Sequence, residues 1–287
     1  MELKNERYVV TFTQKGGEIE SFLDTKTNIQ YMWQGDQAHW SGKNPTLFPL
    51  IGNTYTNSYE INGKEYSMKN HGLIRHATLS TKQADENTVI MELASDENTL
   101  SQYPFPFHYE VCYTLDNNKL TITYHIRNTG TEEMPFTFGL HPGFNCPIEA
   151  GENFEDYTLK FSNKENFEQL VFDPKKEKPY ELKPIQLQEI PCNYKMIEDY
   201  ATLIYKNPRS AYITLQGKGE HGVNVSLTGY PLLAIWTASQ GAPFICIEPW
   251  YGHGDFSKVE EDFYHREGTM ILSPNKTFTT SYSIEVF

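Results

Sequence analysis

Arginine is scarce in this chain: there are five among 24 basic residues, set against 37 acidic ones, for a formal net charge of −13. With no Lys/Arg run, the surface repels polyanions, and nucleic acid is not expected as a partner. A phosphorylated ligand calls for clustered guanidinium donors, and the five arginines are scattered. Cysteine is equally thin. Cys112, Cys146, Cys192 and Cys246 lie far apart with no C-x-x-C pair, which reads as four reduced thiols. Met1 to Arg7 lack the apolar stretch of a secretory signal, and no run reaches the ~20 apolar residues of a membrane helix. A cytoplasmic protein without a membrane partner is expected.

Metal-ligand spacing is missing as well. His71 with His76, and His253 with His265, fit no motif, and there is no H-x-H or H-E-x-x-H. No G-x-S-x-G elbow occurs, and no Gly-rich phosphate loop joins a strand to a helix. Neither a metal nor another cofactor is expected. Helical periodicity is rare too, with Lys258–Glu267 the best short candidate.

Aromatic residues and period-two alternation are abundant. The 19 Tyr, 17 Phe and 4 Trp suit strands and supply a large core. They also suit a sugar site, whose C–H faces pack on rings. Leu120, Ile122, Tyr124 and Ile126 alternate with polar residues, as do Val223, Val225 and Leu227. Phe278, Thr280, Tyr282, Ile284 and Val286 form a third such series, and all three read as half-buried antiparallel strands. Asn62-Gly63 and Asp116-Asn117-Asn118 mark turns between strands. The fold class is therefore all-β, a large antiparallel sandwich or barrel. Glu149 to Pro191 is polar, with Lys175-Lys176-Glu177-Lys178-Pro179 inside it. It reads as a surface excursion within a single domain, residues 1–287, because alternation resumes unchanged on both sides.

Three segments could carry chemistry. In Phe136 to Phe144, Thr137, Gly139 and His141 share one strand face, and Pro142 leaves His141 at the strand end. Gly139 leaves space for a ligand there, although an isolated histidine at a turn is as often a surface residue. In Phe244 to Gly252, Glu248 follows an apolar run, where a carboxylate is costly unless hydrogen-bonded or employed. Pro249 is expected to end that strand, with Trp250 and Tyr251 offering ring surfaces. Trp236 reads equally as pocket lining or core. Asn70-His71-Gly72-Leu73-Ile74-Arg75 groups an amide, an imidazole and a guanidinium in a loop.

Together with Leu47-Phe48-Pro49-Leu50-Ile51-Gly52, these segments resemble the aldose 1-epimerase (galactose mutarotase-like) family, in particular its bacterial LacX-like branch. The pieces His71-Gly72-Leu73-Ile74-Arg75, Gly139-Leu140-His141-Pro142-Gly143-Phe144 and Ile247-Glu248-Pro249-Trp250 follow in the family's order across nearly the whole chain. The resemblance implies a mutarotase supersandwich with a concave sugar-binding face. It makes Glu248 the general base, His141 the general acid, and His71 a group that binds or polarises the ring oxygen. Arg75 matches a family position near the site; from the residues themselves, Asn70 beside His71 and the rings of Trp236 and Trp250 are further candidates to bind the sugar. Two departures bear on the substrate: Asn53 stands where the family commonly carries an arginine, and Asp199 is the candidate for a family aspartate that holds a sugar hydroxyl. The implied reaction interconverts the α and β anomers of a free aldohexose. The alternatives are the hexose-6-phosphate version and a non-catalytic carbohydrate-binding protein. An acid–base pair of this kind predicts a bell-shaped pH–rate profile.

Overall fold

Apolar alternation decides which face of each strand is buried. In Lys119–Asn128, Leu120, Ile122, Tyr124 and Ile126 are fully buried while Thr121, Thr123 and His125 are not. The adjoining strand Phe107–Asp116 pairs with it in register through a turn in which Asn117 has φ 52°. Asn62 and Gly63, at φ 52° and 74°, close the hairpin Tyr59–Ile61 to Lys64–Tyr66. Both turns use the left-handed region that Asn and Gly tolerate best.

A computed structural model describes residues 1–172, 180–239 and 241–287. Among these residues the strands form one 15-stranded antiparallel sheet, a four-stranded sheet near the start of the chain, and two two-stranded ribbons. The large sheet curls over itself. Phe138 meets Tyr124 at 5.1 Å and Phe278 at 5.7 Å between ring centroids, although their strands lie far apart in its hydrogen-bonded order. This produces the expected antiparallel sandwich, and one core takes side chains from Leu3 to Val286. Truncating a fully buried ring such as Phe138 to Ala costs about 3–5 kcal/mol.

Three expectations are corrected. Glu149–Pro191 is not a plain surface excursion, because Thr158–Val171 and Glu181–Pro191 pair as long strands. Their pattern is hard to read because the register shifts between Lys160 and Glu165, and the second strand faces solvent along most of its length. The Lys175–Pro179 run lies outside the described residues. Lys258–Glu267 holds only the short 3₁₀ turn Phe263–His265, with Asp262 capping it; the α-helices are Glu97–Gln102 and Tyr194–Tyr200. Finally, Pro249 does not end its strand, which continues to Tyr251. No helix is long and apolar enough to cross a membrane among the described residues.

Candidate active site

The strand Phe244–Tyr251 divides its side chains between two environments. Ile245, Ile247 and Tyr251 turn to the main core, whereas Phe244, Cys246 and Trp250 pack on the opposite face. By the same alternation Glu248 belongs to that second face. Gly139 pairs with Trp250 and Gly143 with Cys246, so the residue midway between the glycines, His141, comes opposite Glu248. Strand pairing thereby sets Nε2 of His141 3.4 Å from Oε2 of Glu248. On the other side Glu248 faces Ala234, a side chain too small to fill the space in front of it.

These two groups sit at the floor of a cavity of about 620 Å³, inside the roughly 300–1,000 Å³ range of small-molecule sites. Asn53, Asn70, His71, Arg75, Trp236 and Trp250 also line it, as the sequence led one to expect. Asp199 does not. It lies exposed on the helix Tyr194–Tyr200, held by Lys195 one turn away at 2.7 Å. Tyr251 is also turned away, towards Tyr230 and Phe278. Gly139 leaves no room for a ligand; a Cβ there would meet Trp250 Cδ1 at 2.8 Å and Ile51 at 3.0 Å. The space seats the indole instead.

Several lining residues escaped the sequence reading, Trp40, His253 and Asp255 among them. Trp40 stacks on the His141 ring at 4.8 Å and 30°, while Trp236 and His71 meet the same ring edge-on. Trp40 comes from an irregular loop, where no periodicity signals its role. His253 and Asp255 follow the Glu248 strand by only a few residues, and a polar loop at a strand end was the available signal. Asp255 Oδ2 accepts from Arg266 at 2.7 Å and from the backbone N–H of Tyr55 at 2.9 Å.

Burial sets the protonation of the floor. His141 and Glu248 are 6% and 1% exposed. Desolvation pushes the imidazole pKa well below its ordinary value, with His71 and Arg75 adding to the effect. It pushes the carboxyl well above its own, offset in part by the Trp250 indole. Both shifts disfavour charge, so a neutral imidazole and a protonated carboxyl are the favoured forms, with one proton to share across the 3.4 Å contact. Neither Glu248 Oε2 nor His141 Nδ1 has a hydrogen bond to any described residue, although both are buried. His71 is pulled down to about 3, chiefly by burial and then by Arg75 and His76. Arg75 makes no hydrogen bond or ion pair among the described residues, with Glu18 acting on it only at longer range. A carboxyl and an imidazole thus face one cavity whose walls mix aromatic rings with polar groups, Arg75 and Asp255 among them.

Known proteins resemble this chain in sequence and in fold. The aldose 1-epimerase family model matches residues 1–285. The chromosomal LacX protein of Lactococcus lactis is 31% identical over 267 residues, covering 88% of this chain and 87% of its own. A galactose mutarotase-like protein from Lactobacillus casei superposes with a TM-score of 0.93 at 25% identity, over 100% of this chain and 99% of the other. A galactose mutarotase related enzyme from Lactobacillus acidophilus gives 0.92 at 28%, over 100% and 97%. Matched along almost its entire length, and carrying the facing imidazole and carboxylate in a sugar-sized cavity, the chain belongs to the aldose 1-epimerase family.

Proposed function

We propose that this protein is a mutarotase acting on a free aldohexose, with the whole chain serving as one catalytic domain. The observation that carries the reading is the buried His141–Glu248 pair, 3.4 Å apart and open to the cavity. With the shared proton on His141, the Glu248 carboxylate takes the proton from the anomeric hydroxyl. His141 gives its proton to the ring oxygen as the C1–O5 bond breaks, leaving an aldehyde and a free hydroxyl. Rotation about C1–C2 and the reverse transfers close the other anomer. His71 stays neutral and donates to a sugar oxygen, while Trp40, Trp236 and Trp250 offer ring surface. Asp255, not Asp199, supplies a carboxylate for sugar hydroxyls.

Polarimetry or anomeric-proton NMR on freshly dissolved α-glucose and α-galactose tests the proposal. Acceleration should scale with protein and fall by about 10²–10⁴-fold in Glu248→Gln, while sugar binding survives. A wild-type rate in this variant would remove Glu248 as the base.

One observation favours a second substrate class. Arg75 reaches the cavity without an ion-pair partner among the described residues, as a guanidinium awaiting a phosphate would. The same assay on hexose 6-phosphates separates the two. Preference for the phosphorylated sugar, lost in Arg75→Met, selects that class.

A further inference from the structure

Cys246 has no part in the proposed chemistry, yet its thiol lies beside the reacting pair. It is fully buried on the same strand face as Glu248, two residues away. Ligand atoms of His141, Cys246 and Glu248 all lie within 4.8 Å of one another. Among the described residues no other group of three His, Cys, Asp or Glu converges in this way. We propose that these three side chains form a site for a soft divalent cation of the zinc type, and that the cation blocks the cavity floor.

The donor set is the argument. A thiolate, an imidazole and a carboxylate suit zinc or cobalt, whereas magnesium and calcium prefer oxygen alone. Zinc bonds of about 2.0–2.3 Å put neighbouring tetrahedral ligands about 3.3–3.7 Å apart. The His141–Glu248 separation of 3.4 Å already matches, so only the thiol has to close. Glu248 Oε2, buried, has no hydrogen bond that the metal would need to displace. Three protein ligands leave a fourth position for water or a sugar hydroxyl. Binding converts the Cys246 thiol to a thiolate and displaces the proton shared by His141 and Glu248, releasing both protons to solvent, so affinity falls as the pH is lowered. The metal occupies the oxygen and nitrogen atoms that the sugar needs and therefore competes with it. Sequence spacing does not reveal the site, because its ligands come from two paired strands.

Cobalt(II) titration of the purified full chain tests this independently of any activity. The wild type should develop a near-ultraviolet thiolate-to-cobalt band with tetrahedral visible bands, which zinc bleaches and magnesium leaves intact. Cys246→Ser and Cys246→Ala should both lose the thiolate band, while Cys146→Ala keeps it. In the sugar assay, zinc should inhibit the wild type competitively and reversibly with EDTA, and inhibition should weaken at least tenfold in Cys246→Ser. Absence of the band in the wild type, or its survival in both Cys246 variants, overturns the site. If no sugar is epimerised but the band behaves as described, the metal site stands and the epimerase reading falls.

Discussion

The backbone N–H of Gly52 donates to Nδ1 of His71 at 3.0 Å, and the N–H of His71 returns a bond to the Gly52 carbonyl at 2.8 Å. Because Nδ1 is an acceptor, the proton of the neutral ring sits on Nε2. His71 adopts φ 66° to make this reciprocal contact, an uncommon conformation for a residue with a Cβ. Gly72 beside it could not be anything larger, since a Cβ would fall 2.3 Å from the Phe48 carbonyl oxygen. The loop thus holds one imidazole as a fixed neutral donor.

Stability should therefore fall in acid. Folded His71 has a pKa near 3 against an ordinary 6.5, so the unfolded chain binds the extra proton first. Its contribution is complete above about pH 6.5 and is lost as the pH falls from there towards 3. Between pH 7 and 5 His71 alone accounts for about 2 kcal/mol. Urea unfolding at the two pH values measures it. His71→Asn should shrink the difference, and an unchanged difference would show that His71 is not buried neutral.

The rate profile should carry the same signature at the cavity floor. The proposed reaction needs one proton on the His141–Glu248 pair. Burial disfavours the doubly protonated cation and the fully deprotonated anion alike, which widens the bell beyond that of two isolated groups. The acid limb of kcat/KM should lie below 6.5, the ordinary histidine value. An acid limb at or above that value would mean the imidazole is not desolvated in the working enzyme.

Asp255 and Arg266 are 9% and 8% exposed in their side chains and pair at 2.7 Å. Arg266→Met strands a buried carboxylate and should cost about 3–5 kcal/mol, read by chemical denaturation. Adding Asp255→Asn should recover most of that loss. Asp255→Asn alone should raise KM for the sugar more than it lowers kcat, if the carboxylate holds substrate hydroxyls. A fall in kcat with KM unchanged would place Asp255 in the chemical step instead.

The legible parts of the molecule are those where one local rule decides the outcome. Strands such as Lys119–Asn128 bury one face only, so alternation reveals them. The Glu248 strand betrays itself by a carboxylate in an apolar run. What the sequence hides depends on pairing. Asp199 looks like a ligand until the Lys195 contact on its own helix turns it to solvent. Gly139 looks like space for a sugar until the opposing Trp250 fills it. Glu181–Pro191 reads as loop because only Ile185, Leu187 and Ile190 turn towards the core while the rest of this edge strand is exposed, too short an apolar series to stand out. Trp40 is invisible because its value comes entirely from the histidine beneath it, 101 positions along the chain.

Trp40 also gives the most discriminating test of the burial argument. Its ring covers His141, and removing it has two opposing consequences for the imidazolium. Water gains access, which raises the histidine pKa, while a cation–π partner is lost, which lowers it. The cation–π contribution is at most about 2 kcal/mol at a desolvated site. Full burial of a histidine can shift its pKa by up to about 3–5 units, equivalent to roughly 4–7 kcal/mol. Desolvation is also the largest influence on His141 here. Trp40→Ala should consequently move the acid limb of kcat/KM upward, by about half a unit to one unit, since Trp236 and His71 still cover the ring. The maximal rate should drop as water enters beside the proton donor. An acid limb that moves down instead would mean that Trp40 acts mainly by attracting the protonated ring.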